Sequence, residues 1–342
     1  MALTNTDAEP PLISVVIPTF NRSDELRGLI ACLNRQTLPK QQFEVVIVDD
    51  GSTDDTLHCL KSLPETCCLD IRFCRQQNTG PGEARNRGMR MARAPFLAFT
   101  DTDCRPFPDW LEKMLDSLQG HNVGAVGGAE AEDPGDTPLM RALHFCMTST
   151  VTTGGLRGKK GKKLARFYPR TFNMAISRAA FESTGGFKPL YHGEDVELSF
   201  RIKNRGFLLV YNAEARVYHK RRATLKQFFT QVLRMGKARV TLARLHPRLL
   251  EPLHVLPAAG LGIGVPAAAL SATGDPFSSF FLFFVAAGCV FLAVLGILAL
   301  GKTKSPKLLF LAPLVCVIQQ CGYAVGFWWG VLELLRNRPG AA

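Results

Sequence analysis

What this chain has little of narrows it first. Its ten cysteines form no C-x-x-C pair, and Cys67 and Cys68 are adjacent, so the spacing suits neither a zinc ribbon nor a disulfide framework. Reduced, mostly buried thiols in a cytosolic domain are expected instead. No G-x-G-x-x-G follows the first apolar run, and no G-x-x-x-x-G-K-S/T occurs anywhere. Dinucleotide-dependent dehydrogenases and P-loop nucleotidases both fail at that requirement. No internal repeat is visible. A secretory leader is missing too: Met1–Pro11 is polar, holds Asp7 and Glu9, and the run "LISVVI" is too short for a leader's apolar stretch. Roughly the first 250 residues are therefore expected to stay on the side of synthesis.

Charge is scarce from Leu253 onward. The segments 253–273, 277–300 and 308–335 each reach the roughly 20 apolar residues that a bilayer-spanning helix needs. The first carries Pro257, Pro266 and several glycines, which suit a kinked or re-entrant segment. The third runs into "GFWWG", aromatics of the kind that settle at a membrane interface. The formal net charge is +12, and much of it is placed just ahead of these segments: Lys220, Arg221, Arg222, Lys226, Arg234, Lys237, Arg239, Arg244 and Arg248. Lys302, Lys304 and Lys307 fall between the second and third segments, and "SATGDP" between the first two has none. This is the positive-inside pattern for a cytoplasmic N-terminal domain and three spans, with Arg336 and Arg338 as a mild violation. A nucleic-acid partner is the rival reading of the charge. Position favours membrane lipids with anionic headgroups, and no nucleic-acid partner is expected.

The polar two thirds alternates strand and helix patterns. "ISVVIP" (Ile13–Pro18) and "FEVVIVDD" (Phe43–Asp50) are apolar, β-branched runs of the kind covered on both faces, and "LDIRFC" (Leu69–Cys74) and Phe96–Thr100 read as further strands. Between the first two lies a helix pattern with Ser23 as N-cap and Asp24 and Glu25 in its first turn. A second helix is expected around Asp54–Lys61, and Pro81 opens a third. The class is α/β with a parallel, right-handed sheet. Ligands in such sheets sit beyond the carboxyl ends of the strands, where "TFNRSDE", "DDGSTDD", "NTGPGEARN" and "DTD" all fall. The chain is expected to divide into a disordered tail, 1–11, the α/β domain, 12–222, a basic amphipathic helix lying among headgroups, 223–250, and the membrane region, 251–338. "GKKGKK" (Gly158–Lys163) reads as a mobile solvated loop, with phosphate binding as its second reading.

Asp101 and Asp103 end the fourth strand together. One explanation is capping of the next helix, a job for which Asp109 is better placed. The other is chemical: two carboxylates on one turn are hard oxygen ligands for Mg²⁺ or Mn²⁺, whose shell phosphate oxygens and water complete. Asp49–Asp50 ends the second strand, where a carboxylate can accept from a ribose hydroxyl or a base N–H, or simply build the Asp-Gly turn.

"VVIPTFNR", "VVIVDDGSTD", "NTGPGEARNRG", "FTDTDC" and "GEDVELSFR", in that order, resemble the motifs of glycosyltransferase family 2, over about Ile13–Arg244. The resemblance implies a GT-A nucleotide-diphospho-sugar transferase fold, followed here by transmembrane helices as in bacterial members that elongate lipid-linked glycans. It places Pro18, Thr19, Asn21 and Asp50 at the nucleotide, Asp50 on the base, and Arg85 near the nucleotide or its phosphates. It makes Asp103 the metal ligand, Asp101 a contact to ribose or metal shell, His219 a further ligand, and Asp195 the general base beside Glu194. The blander readings are a charged first helical turn for Glu194, Asp195 and Glu197, an interfacial histidine for His219 and a solvated arginine for Arg85.

The chemistry these residues suit is transfer of a sugar from a nucleotide donor, expected to be a UDP-sugar. A divalent cation neutralises the leaving diphosphate, a carboxylate takes the acceptor proton, and one displacement inverts the anomeric centre. Processive synthases of the family carry Q-x-x-R-W; here Gln231 and Arg234 are followed by Met235, which favours addition of a single sugar. The expected acceptor is a polyprenyl-linked saccharide at the cytoplasmic face of the inner membrane. Two alternatives stand beside it: a polyprenyl-phosphate sugar synthase, and a scaffold that binds nucleotide or lipid without catalysis.

Overall fold

The computed structural model describes residues 9–153, 167–220, 222, 224–271 and 277–336. "GKKGKK" and most of the 1–11 tail lie outside the described residues. The chain falls into two compact units, Met1–Asp133 with Gly158–Lys220, and Pro134–Arg157 with Arg221–Ala342.

The first unit is built on eight strands: β1 (Ile13–Thr19), β2 (Phe43–Asp49), β3 (Asp70–Arg75), β4 (Phe96–Phe99), β5 (Cys104–Pro106), β6 (Val123–Ala131), β7 (Met174–Ser177) and β8 (Leu208–His219). They form one sheet in the order β3-β2-β1-β4-β7-β6-β8-β5. β3, β2, β1 and β4 are parallel, and β1 and β2, buried along both faces, have the composition that suits it. β7 inserts antiparallel between β4 and β6. Beyond it β6 and β8 pair in parallel, and β5 closes the edge antiparallel to β8.

All seven residues of β2 are buried, because the sheet carries a core on each face. Val15, Ile17, Val45 and Ile47 point into one core beneath the helices Ser23–Leu33 and Trp110–Leu118, while Val16 and Val46 point into the other with Met89 and Leu198. Each such side chain is worth about 1.5–3 kcal/mol of apolar burial, so these strands hold the sheet while their ends remain polar. The first helix starts one residue earlier than its capping pattern suggests. Ser23 is already helical, Arg22 occupies the cap position, and no side chain caps it. The Arg22 N–H donates instead to Thr56 Oγ1 at 3.1 Å. Asp24 and Glu25 do occupy the first turn, where the helix dipole favours them.

The second unit reaches back past the expected boundary at 222. Its helix Pro138–Thr148 buries Ala142, Leu143, Phe145 and Cys146 against Leu308, Ala312, Val315 and Cys316, because that face is wholly apolar. Among the described residues, three helices are long and apolar enough to cross a membrane: Pro252–Ser271, Phe281–Thr303 and Leu308–Arg336, with mean hydropathies of 1.6, 2.8 and 1.9. The basic helix Leu225–Leu245 packs along the last of these through glycine. A Cβ at Gly322 would come within 2.6 Å of Val232 Cγ2, and one at Gly326 would collide with the carbonyl oxygen of Leu233. Gly236 faces Tyr323 and Phe327 in the same way, and Gly330 faces Val240. Small residues at four-residue spacing let two backbones approach this closely. The parallel approach to Leu308–Arg336, rather than the helix's own amphipathicity alone, sets where Leu225–Leu245 lies in this unit.

Candidate active site

The carboxyl ends of β1, β2, β3 and β4 bring four loops together at one edge of the sheet. Asn21 takes a left-handed conformation (φ 53°), which asparagine tolerates better than most residues. Its Oδ1 accepts from Thr53 N at 2.7 Å, and its N–H donates to Ser52 Oγ at 2.9 Å, stitching the first loop to the second. Asp49 Oδ1 accepts from Ser52 N at 2.9 Å and so shapes the DDGS turn. Asp50 reaches the next loop. Its carboxylate accepts from Gln76 Nε2 at 2.8 Å, Thr79 N at 3.0 Å and Gly80 N at 2.9 Å. With three of about four lone-pair sites so used, Asp50 organises the 76–80 loop as well as facing the crevice edge. Thr19 is buried beside it and Pro18 half-buried.

Arg85 stands at the centre. The helix Pro81–Met91 opens with proline behind Gly80 (φ 94°) and carries this guanidinium inward, where it is 3% exposed. It donates to Asp101 Oδ1 at 2.6 Å and to Glu194 Oε1 at 3.4 Å, over the face of Phe187. One buried cation thus ties the DTD turn to the GED helix, Glu194–Asn204. Burial pushes the Glu194 carboxyl up to about 7; the Asp195 charge adds to the rise and Arg85 opposes it. Asp195 faces Arg170, whose Nη1 lies 3.3 and 3.4 Å from its two oxygens. The third acid, Glu197, is spent on structure, fully buried and paired with Arg201 and Lys188.

Asp103 meets His219. His219 Nε2 is 3.5 Å from Asp103 Oδ1, and its Nδ1 is 3.5 Å from Glu130 Oε1. The Asp103, Cys104 and His219 ligand atoms lie within 4.8 Å of one another. A carboxylate and an imidazole that together leave positions for phosphate oxygens and water fit a divalent cation of the Mg²⁺ or Mn²⁺ kind. The Cys104 thiol fits it poorly: burial holds its pKa well above the usual range, so it stays a protonated, soft sulfur.

The expected residues therefore fall into three linked groups. Pro18, Thr19, Asn21 and Asp50 line the first two loops; Arg85, Asp101, Glu194 and Asp195 form an acid-rich centre; Asp103 and His219 form the candidate metal pair. Asp101 is held by Arg85. Arg170 and Glu130 are the residues that sequence reasoning misses. Their signals are slight: a basic residue just ahead of the "MAIS" strand, and a carboxylate closing the glycine-rich run "VGAVGGAE".

The model of glycosyl transferase family 2 matches residues 14–185. Validoxylamine A glucosyltransferase of Streptomyces hygroscopicus subsp. jinggangensis is 30% identical over 235 residues, covering 60% of this chain and 54% of that protein. Glycosyltransferase AglE of Haloferax volcanii is 28% identical over 233 residues, covering 67% of this chain and 73% of that one. The chain spans about half the length of the first of these relatives. Among solved structures, mannosyltransferase PcManGT of Pyrobaculum calidifontis, in complex with GDP-Man and Mn²⁺, superposes with a TM-score of 0.65 at 20% identity, over 94% of this chain and 88% of that one. That likeness is one of fold, and the fold is GT-A. The five ordered motifs meet at the edge of such a sheet, within a family match that takes in half the chain, and the protein is a member of glycosyltransferase family 2.

Proposed function

We propose that this enzyme transfers a single sugar, with inversion, from a nucleotide-sugar donor to a lipid-linked saccharide, and that it needs a divalent cation. The observation that carries this reading is Arg85, which joins the DTD turn and the GED helix at one crevice. Asn21 and Asp50 shape the wall that receives the nucleoside, with a UDP-sugar as the expected donor. Asp103 and His219 would hold the cation, Mg²⁺ or Mn²⁺, which supplies charge neutralisation to the leaving diphosphate. PcManGT, of the same fold, was crystallised with GDP-Man and Mn²⁺, which supports a nucleotide-sugar and metal pairing here.

Asp195 accepts the proton of the acceptor hydroxyl, and Arg170 holds its carboxylate in place. Glu194 keeps Arg85 directed at Asp101. An acceptor whose attacking group is a hydroxyl needs such a base; an acceptor phosphate, already ionised, does not. The apolar helices anchor the enzyme as a multi-pass protein of the inner membrane with its catalytic unit in the cytoplasm, and exposed Lys226, Arg234 and Arg244 suit anionic headgroups.

Calorimetric titration of UDP, GDP, CDP and dTDP into the detergent-purified protein, with and without Mn²⁺, tests the donor site. One diphosphate should bind, only with the cation, and not to Asp103→Asn. Absence of binding for all four by folded protein would overturn the reading.

A further inference from the structure

His219 shows one nitrogen to Asp103 and the other to Glu130. Both distances are 3.5 Å, Nε2 to Asp103 Oδ1 and Nδ1 to Glu130 Oε1. The imidazole is also stacked on Phe172, centroids 4.7 Å apart and planes 12° from parallel, which limits how the ring can turn. Three adjacent strands set the row. β6 carries Glu130, β8 ends at His219, and β5 begins at Cys104 directly after Asp103; Cys104 is in register with His219, and Glu130 with Val217, two residues before it.

Glu130 sits deep, its side chain 2% exposed. A carboxylate at that depth is costly unless hydrogen-bonded, and the imidazole offers an N–H at contact distance. At 3.5 Å the pair stops short of a finished hydrogen bond; closing by about half an ångström completes it. A neutral imidazole has one proton for two nitrogens, and the nitrogen without it holds the free lone pair. A carboxylate can only accept, so Glu130 favours a proton on Nδ1, and a cation shared with Asp103 would take the place of a proton on Nε2. In water, neutral histidine favours the opposite arrangement, with the proton on Nε2.

We propose that Glu130 is the positioning residue of the metal site. It holds His219 in the Nδ1–H tautomer and leaves the Nε2 lone pair turned toward the cation shared with Asp103. This rests on the reading of Asp103 and His219 as cation ligands. Carboxylates placed behind metal-bound histidines in this way typically change metal affinity 10–100-fold when removed.

The test titrates Mn²⁺, with and without UDP, into the detergent-purified full chain and its variants, following free Mn²⁺ by electron paramagnetic resonance. Pulsed spectra of protein with ¹⁵N-labelled histidine report whether an imidazole nitrogen is bonded to the ion. The wild type should bind and show nitrogen coupling that His219→Gln loses. Glu130→Ala should bind about 10–100-fold more weakly with the coupling reduced or gone. Glu130→Gln still offers a carbonyl oxygen to Nδ1–H, so it should keep the coupling and stay within about threefold of wild-type affinity. Wild-type affinity and coupling in Glu130→Ala would overturn the proposal. Equal loss in the Gln and Ala variants, both folded by circular dichroism, would overturn it too. Failure of the wild type itself to bind Mn²⁺ would instead bring down the cation reading, and the role of Glu130 with it.

Discussion

The guanidinium of Arg170 stands 3.3 Å from the carboxylate of Asp195. The two are 25 residues apart in sequence and meet because the segment ahead of β7 is folded against the start of the GED helix. Arg170 gives Asp195 a fixed partner while both stay partly open to solvent, with side-chain exposures of 29% and 13%.

Removing the base should separate binding from chemistry. Asp195→Asn keeps the shape and loses the proton acceptor, so nucleotide affinity should hold while kcat falls about 10²–10⁴-fold. Transfer near the wild-type rate, measured with the same donor and acceptor, would remove Asp195 from the mechanism.

Arg170→Ala should leave Asp195 chemically present and poorly placed. The expected effect is a fall in kcat of about tenfold or more, equivalent to about 1.4 kcal/mol, with little change in donor KM. Arg170→Lys should recover part of it. A change in donor KM alone would place Arg170 on the nucleotide instead.

The raised pKa of Glu194 has a sign in stability. Its folded value is about 7, against an ordinary 4.5. Between those pH values the unfolded chain releases this proton and the folded chain keeps it, so stability falls as pH rises through the window. The loss is up to ~3 kcal/mol at 1.36 kcal/mol per unit. In cation-free protein, Glu194→Gln should flatten the decline of melting temperature between pH 4.5 and 7. An unchanged pH profile in the variant would show that Glu194 is not the group responsible.

The glycine contact in the second unit should tolerate no side chain. Gly326→Leu places atoms where the Leu233 carbonyl lies and should cost about 1–3 kcal/mol or more. Gly288→Ala, at a position with open space around it, should change the melting temperature little. Equal effects of the two substitutions would mean that Leu225–Leu245 does not pack there.

β1 and β2 are legible because their runs are apolar and β-branched on both faces, and the apolar helices because of their length. β5 to β8 are harder to read. β5 has three residues, β6 is rich in glycine, and β8 mixes charged and apolar side chains along twelve residues at the sheet margin. The site divides along the same line. Asp50, Arg85, Asp101, Asp103, Glu194 and Asp195 lie within ordered motifs. Glu130 and Arg170 do not: Glu130 meets His219 through the pairing of β6 with β8, and Arg170 meets Asp195 where the segment ahead of β7 folds against the helix Glu194–Asn204. Ser23 shows the limit of local signals: it is already helical, and the residue at the cap position, Arg22, donates its N–H to Thr56 Oγ1 instead of offering a side-chain cap.

The helix Leu225–Leu245 and its glycine-bearing partner advance together, Val232 beside Gly322, Gly236 beside Phe327, Val240 beside Gly330. They point the same way. The chain therefore leaves the first helix at one level and must enter the second, Leu308–Arg336, at the opposite level. Two helices lie between, about 30 and 40 Å long at 1.5 Å per residue. One of them must make the return. Phe277–Thr303 fits, because Gly296 near its end touches Leu309 and Pro313 near the start of the next helix. Pro252–Ser271 meets that helix where Ala258 packs with Phe327, and through the indole of Trp328, which donates to Ala258 O at 2.9 Å and covers Gly262. Whatever tilt a bilayer imposes on Leu308–Arg336, the basic helix shares it, so the two cannot be one upright and one flat.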